Sequence, residues 1–565
     1  MKWTVAENLA DIKLANKKKF QNEILCLTYE VYLLGKSLNL NVTFVRDILN
    51  IDDIIFKNLD WLNEKVFQGE VHISIEAHRS YLSALLLHLK VSDEVASKLC
   101  LERDPKKFIM LIDAHCIDGY YKAFRFTKYN KINSSNALKV SILRRSNWRN
   151  KILSYFLSMM TFLSSSLKLL MINLYEIFSF SAKIVTSEKN ETIIIGWGRD
   201  FVRYFDSDND VTSKIKTNSI QNIITRPRKV KGKTFKGDVL IAKETILFRE
   251  TFGISLGNFS VIKRISILLK YVKESFNFIK DLTRSGHTLG VDLLLYVFYY
   301  HRSVVLEREL FNLLVTKRTK YLITSDADLP AVRYLLLYGI KKDLKVYSTV
   351  HGSTLYDYFG KYFLANYRIT NSLCFANGYR EGDLYLNQHL LSIEDYIEGN
   401  NCIMIATRSN GNHWSNPTFN QIKFYEICNK LASDMPEYRF IIKSHPSSDA
   451  YYLYSDIAKY NKNVTHDNSK FDMNNFKSIT ALLSIGDLPS LIIDAIAYKV
   501  PVFYFSGAQN KHQKKYSYGF EDNFLIDSYD ELVDSIKNMC MSNMERKKLS
   551  TSQYRKTKKI TLRKK

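Results

Sequence analysis

The chain is 565 residues long, 46% hydrophobic and 13% aromatic, which excludes a disordered protein and leaves room for about three domains. Only eight prolines and twenty-one glycines exclude a collagenous or low-complexity architecture. A formal charge of +24 calls for an anionic partner, although abundant Lys, Asn, Ile and Tyr also reflect an AT-rich coding sequence.

Seven cysteines, at positions 26, 100, 116, 374, 402, 428 and 540, make no Cys-x-x-Cys pair and have no histidine at zinc spacing. Reduced thiols and no structural metal are expected. Met1-Lys2-Trp3 leads into polar sequence, so no secretory signal peptide is expected. Residues 1–130 read as a mainly helical accessory domain, with apolar residues at three and four spacing over 22–38 and 81–101. Asp113, His115, Cys116 and Asp118 crowd into one short stretch, where a loop or helix start fits better than a metal cluster.

Residues 131–190 read as connecting helices. The basic run Arg144 to Lys151, with Trp148 inside it, precedes an apolar stretch over 152–185. Its uncharged part, Ile152 to Leu167, falls short of the roughly 20 residues that span a bilayer. A basic, tryptophan-bearing approach to such a helix suits an anionic bilayer surface, and a buried inter-domain helix fits equally well.

Thr192 to Trp197 predicts a strand that enters a turn at Gly196-x-Gly198. The third glycine of the dinucleotide fingerprint is missing, which leaves NAD binding little support. Asp206, Asp208 and Asp210 resemble the start of a calcium loop, but Val211 and Thr217 stand where glycine and glutamate are required. Residues 260–315 are predicted to be helical. Tyr321 to Thr324 is a strand, Ser325 to Asp328 a loop, Leu329 to Tyr338 a helix, and Lys345 to Val350 a strand that ends in His351.

Cys402 to Thr407 opens a second strand–helix series, with Arg408 in its first loop. Phe440 to Ile442 is a strand ending in Lys443-Ser444-His445-Pro446. Leu482 to Ile485 is another, and Gly486-Asp487-Leu488-Pro489-Ser490 turns into a helix over 491–498, followed by the strand Pro501 to Phe505. The expected architecture is α/β: two Rossmann-like domains, 191–390 and 391–545, facing a cleft behind the helical N-terminal region. Polar groups at the carboxyl ends of parallel strands build a ligand crevice. A helix entered through Pro489-Ser490 presents unpaired N–H groups to an anion, and Lys443 and His445 add donors beside it. Taken singly, His445 merely ends a strand and Ser490 merely caps a helix; together they point to a phosphate site. The basic tail, 546–565, holds ten Lys or Arg and no acid, and is expected to be disordered and to attract polyanions.

Val350-His351-Gly352-Ser353, the aromatic run Tyr356 to Phe359, Lys443-Ser444-His445-Pro446, Pro489-Ser490, Asp494-Ala495-Ile496 and Pro501-Val502 follow in that order. This order resembles bacterial capsule and lipopolysaccharide glycosyltransferases of GT-B type that carry a His-Pro motif and use CMP-activated acidic sugars, Kdo or sialic acid. The resemblance spans residues 192–530. It implies that His445 and Pro446 hold the cytidine nucleotide, with Lys443 beside them and Ser490 on the phosphate. Arg408 and Asp487 fall on the same donor side. His351 would act as general base on an acceptor hydroxyl, or Asp326 or Asp328 in its place. Ser444 stands where the family often has proline before the histidine, and Pro489-Ser490 where a Ser-Ser or Ser-Thr pair is frequent.

The resemblance further implies no metal and no cofactor beyond the nucleotide-sugar co-substrate, because preorganised donors can stabilise a departing phosphate. It implies a glycan or lipid-linked glycan acceptor; the basic run 144–151, the basic tail and the unpaired cysteines add the expectation of a cytoplasmic, peripheral position at the inner face of the cytoplasmic membrane. His351-Gly352-Ser353 also resembles teichoic-acid glycerophosphotransferases, which use CDP-glycerol. Asp326-Ala327-Asp328 alternatively reads as the metal-binding Asp-x-Asp of a GT-A enzyme, against which the second strand–helix series argues. No nucleic-acid-binding pattern accompanies the positive charge.

Overall fold

The structure, a computed structural model, describes residues 4–6, 9–62, 64, 76–102, ten helical positions between 159 and 177, 190–197, 205, 219–225, 233, 235, 238–241, 259–284, 297, 301–325, 330–349, 367–370, 384–385, 401–407, 421–444, 451–469, 473–486, 489, 491–508 and 524–562. Within them the strands form three sheets, each parallel throughout.

The first sheet contains β1 (Thr4–Ala6), β2 (Ile24–Cys26) and β3 (Val42–Phe44), in that order, with helices α1 (Leu9–Lys17) and α2 (Tyr29–Ser37) as crossovers. The segment 22–38, expected as one helix, is therefore a strand and a helix. Ile24, Leu25 and Cys26 are all buried, which a one-sided helix would not allow. Thr28 then starts α2, its hydroxyl accepting from the Val31 amide at 3.3 Å. Gly35 lets α2 lie close on β3: a Cβ there would meet Val42 Cγ1 at 2.5 Å. Helices α3 (Val45–Ile48), α4 (Ile51–Trp61) and α5 (Arg79–Glu102) follow, so the larger part of the described residues of the expected helical region is helical, and residues 103–130 lie outside the described residues.

The second sheet has the order β10-β9-β8-β7-β4-β5-β6. Its strands are β4 (Thr192–Trp197), β5 (Ile220–Thr225), β6 (Asp238–Ile241), β7 (Tyr321–Ser325), β8 (Lys345–Thr349), β9 (Tyr367–Thr370) and β10 (Leu384–Tyr385). Helices α6 (Val261–Arg284), α7 (Arg302–Leu314) and α8 (Pro330–Lys341) belong to this part of the chain. Ile193, Ile195 and Leu322 from the strands meet Phe311 of α7 and Leu335 of α8 in one core.

The third sheet has the order β13-β12-β11-β14-β15-β16. It comprises β11 (Cys402–Ala406), β12 (Arg439–Lys443), β13 (Val464–Asp467), β14 (Ala481–Ile485), β15 (Val502–Phe505) and β16 (Leu525–Ile526), with helices α9 (Gln421–Asp434), α10 (Tyr451–Tyr460), α11 (Leu491–Ala497), α12 (Tyr529–Met541) and α13 (Asn543–Leu562). Side chains alternate along each strand. Ile403 and Ile405 join Phe424, Leu453 and Leu532 of α9, α10 and α12 on one face. Cys402, Met404 and Ala406 join the opposite core, which runs on without a break into Ile55 and Leu59 of α4 and Leu86 of α5. The N-terminal unit thus completes the third sheet's packing. Its dock is also polar: buried Glu30 accepts from the Tyr452 amide, at 2.6 Å, in the first turn of α10.

The carboxyl-terminal segment differs from the disordered tail expected of its composition. It is helix α13, and Arg546, Ser550 and Gln553 are buried along one side while Lys547, Lys548, Arg555 and Lys556 stay exposed. The charges of Lys547, Lys548, Arg555 and Lys556 thus form the solvated face of a packed helix.

Candidate functional site at the carboxyl ends of two sheets

Both larger sheets are wound alike. The first strand of each, β4 or β11, sits inside the sheet; the next two strands extend to one side and the fourth to the other. The chain direction across the sheet reverses between β4 and β7 and between β11 and β14. At such a reversal the loops leaving neighbouring strands diverge and leave a crevice at the carboxyl ends.

The sequence-predicted residues follow these strand ends. Arg408 comes two residues after β11, His445 and Pro446 just after β12, and Asp487 two residues after β14, with Ser490 directly before α11. Asp326 and Asp328 follow β7, and His351 follows β8. All eight lie outside the described residues, as do Asp113 to Asp118 and the basic run 144–151. Lys443 alone among the predicted site residues is described.

Lys443 ends β12 and is buried. Its ammonium donates to Asp467 Oδ2 at 2.9 Å, to the Ser469 carbonyl at 2.6 Å and to Ser469 Oγ at 3.2 Å. An ammonium has three N–H donors, and these three acceptors use them all. Burial works to raise the Asp467 carboxyl, but hydrogen bonds from Ser469 and Lys443, together with the Lys443 charge, outweigh it and hold the group below its ordinary range.

The rows above and below lock the same edge. Thr407 donates through its amide (3.1 Å) and its hydroxyl (3.2 Å) to the Lys443 carbonyl. The Ser444 amide donates to the Asp467 carbonyl at 3.1 Å. Backbone pairing across β11, β12 and β13 therefore continues up to the residues that precede Arg408 and His445. On the other side of the reversal, Gly486 adopts φ 69°, a left-handed conformation that favours glycine, and its amide donates to the Phe505 carbonyl at 2.9 Å. Buried Pro489 then brings the chain to α11, which is seven residues long.

His466, on β13, was not singled out by its sequence. Its Nδ1 lies 3.0 Å from Ser455 Oγ and its Nε2 3.1 Å from Ser444 Oγ, between the rings of Tyr451 and Tyr454. Burial lowers the imidazole pKa, reinforced by the Lys443 charge and opposed by Asp467, and the lowering prevails. A neutral ring bridging two hydroxyls fixes Ser444, the residue immediately before His445. The signal in the sequence was the turn Asn461-Lys462-Asn463 after an amphipathic helix, which announces another strand of the series. Among the described residues no group of three or more His, Cys, Asp or Glu is placed to hold a metal ion.

No known family model and no curated protein matches the chain. Among solved structures it is similar to a point mutant of S. aureus TarM in complex with fondaparinux, alpha-GlcNAc-glycerol and UDP, at 13% identity and a TM-score of 0.31 over 45% of this chain and 55% of that one. The chain thus spans little more than half of TarM. It is similar also to an O-GlcNAc transferase of Thermobaculum terrenum, at 9% identity and a TM-score of 0.32 over 91% and 95% of the two chains. A glycosyltransferase of Rickettsia africae gives 11% identity and a TM-score of 0.32 over 66% and 95%. At these TM-scores the likeness assigns no activity.

Proposed function

We propose that the protein is a nucleotide-sugar-dependent glycosyltransferase of GT-B type, acting in surface-polysaccharide biosynthesis and using a CMP-linked acidic sugar. The observation that carries this reading is the reversal between β11 and β14: the backbone pairing holds up to Thr407, Ser444 and Gly486, and the segments bearing Arg408, His445–Pro446 and Asp487–Ser490 follow those residues in the chain. A second sheet of the same winding supplies the acceptor side, with His351 following β8.

In the proposed reaction an acceptor hydroxyl attacks the anomeric carbon, the sugar–phosphate bond breaks and CMP departs with the bonding pair. The hydroxyl proton passes to His351, or to Asp326 or Asp328. His445 and Ser490 stabilise charge on the leaving phosphate, which requires no metal. Lys443 enters as a positioning residue, its donors already bound to Asp467 and Ser469. The acceptor is a glycan or lipid-linked glycan presented at the inner face of the cytoplasmic membrane. No helix among the described residues is long and apolar enough to cross that membrane.

Nucleotide release from CMP-Kdo, CMP-sialic acid, CDP-glycerol and a UDP-sugar, with EDTA present, tests the proposal. CMP release from an acidic-sugar donor is expected, lost in His445→Ala and reduced about a hundredfold in His351→Ala. Glycerol phosphate transfer from CDP-glycerol would replace the sugar donor. Activity only with added Mn²⁺ would favour the Asp326-x-Asp328 alternative.

A further inference from the structure

Of the seventeen large apolar side chains that stand exposed among the described residues, thirteen fall in two stretches, seven between Met159 and Leu174 and six on α6. The six are Val261, Ile262, Ile265, Leu269, Val272 and Phe276. From Ile262 onward they recur at alternating spacings of three and four, which aligns them along one side of the helix. Their exposure is large: 82% for Ile262, 66% for Leu269 and 60% for Phe276.

This stripe is additional to the one that holds α6 in place. Ile267, Leu268 and Tyr271 face inward against Val305 and Leu306 of α7, with Ile177 packed beside them. A surface helix ordinarily has one apolar stripe and a polar opposite face. Here the outer face is apolar as well, and its polar positions are Lys263, Ser266, Lys270, Lys273, Asn277 and Lys280. No acidic residue is exposed between 261 and 280, because Glu274 turns toward Arg308, at 2.9 and 3.0 Å. The other stretch adjoins both α6 and α7: Arg264 Nη1 of α6 donates to the Ile177 carbonyl at 2.8 Å, and Arg302 Nε of α7 to Asn173 Oδ1 at 2.7 Å.

We infer that the outer face of α6, together with the exposed apolar residues Met159, Leu163, Leu167, Leu170 and Leu174 of the neighbouring stretch, is a docking surface for an anionic lipid bilayer. Apolar side chains enter the acyl boundary while lysines extend along it to reach headgroup phosphates. Charge selects this occupant over a second copy. Pairing two such faces would bring lysine rows together with no exposed acid on either stripe to answer them. The surface deepens the peripheral membrane position of the proposed function and is independent of its transfer chemistry; it also places contact on α6, which its sequence alone did not mark.

Flotation of the full-length protein with vesicles tests the inference, comparing phosphatidylcholine alone with phosphatidylcholine and phosphatidylglycerol mixed. The protein is expected to float with the mixed vesicles only. Ile262→Ser/Ile265→Ser/Leu269→Ser should weaken binding at least about tenfold with its melting temperature maintained, since these side chains are exposed. Lys263→Gln, Lys273→Gln and Lys280→Gln should each weaken it about fivefold. Failure to float overturns the inference. So does flotation that added salt removes but the triple apolar variant leaves intact, which is adsorption by charge alone. A dimer in light scattering that the same triple variant renders monomeric, without flotation, assigns the face to a second copy instead.

Discussion

Gln553 pairs with Val502 at both outward backbone groups of that residue. Its Oε1 accepts from the Val502 amide at 2.9 Å and its Nε2 donates to the Val502 carbonyl at 2.6 Å. The neighbouring strand β16 cannot serve there, because its pairing with β15 begins at Tyr504. A side-chain amide from α13 thus stands in for the missing strand and joins the last helix to the sheet.

Gln553→Ala leaves two buried backbone groups unpaired and is expected to lower unfolding stability by about 3 kcal/mol. Gln553→Glu should not rescue it, since a carboxylate oxygen would then oppose the Val502 carbonyl. Lys547→Ala, exposed on the same helix, should change stability by less than about 0.5 kcal/mol. Urea unfolding of the three variants checks this, and an unaffected Gln553→Ala would show that α13 is not needed by the sheet.

The Lys443–Asp467 pair predicts an asymmetry. Lys443 is 4% exposed at its side chain and Asp467 27%, so removing the carboxylate strands the more buried charge. Asp467→Asn should therefore cost about 2–3 kcal/mol, and Lys443→Met less, because Asp467 can be rehydrated. Equal losses in urea midpoints would contradict this burial argument.

Acid should weaken the fold in a defined order. Folding lowers the pKa of His466 below its ordinary 6.5, so its contribution is complete above that value and is lost as pH falls through it. His78, fully buried, is lowered chiefly by burial and then by His301, and acts with the same sign. Asp467, also lowered, adds a further loss below its ordinary 3.8. Urea midpoints should fall between pH 7.5 and about pH 5. His466→Gln should reduce that slope without abolishing it, because His78 remains. A slope unchanged in His466→Gln would remove His466 from the account.

Much of the third sheet is legible in the sequence because its strands are short continuous apolar runs, such as Ile403-Met404-Ile405, the pattern of strands buried on both faces. Edge strand β13 is less legible: only Val464 is buried, and Thr465, His466 and Asp467 read as loop. Strands β1 to β3 are three residues each, too short to display a period. Helix α13 escapes pattern reading because part of its buried side is polar, at Arg546, Ser550 and Gln553, where hydrophobic periodicity is silent. Lys443 can be read as a cation near the crevice. That its donors are taken by residues 24 and 26 positions later depends on β12 pairing with β13, which no local pattern encodes.

In the proposed function, the residues that follow β11, β12 and β14 bind a cytidine nucleotide through its phosphate. The most direct test is a thermal-shift comparison of CMP, CDP, UDP and GDP on the full-length protein, repeated with His445→Ala. A ligand that binds only the folded state raises the melting temperature by mass action. CMP or CDP is expected to raise it and His445→Ala to abolish the shift. Stabilisation by UDP alone, or a CMP shift unchanged in His445→Ala, would contradict the claim.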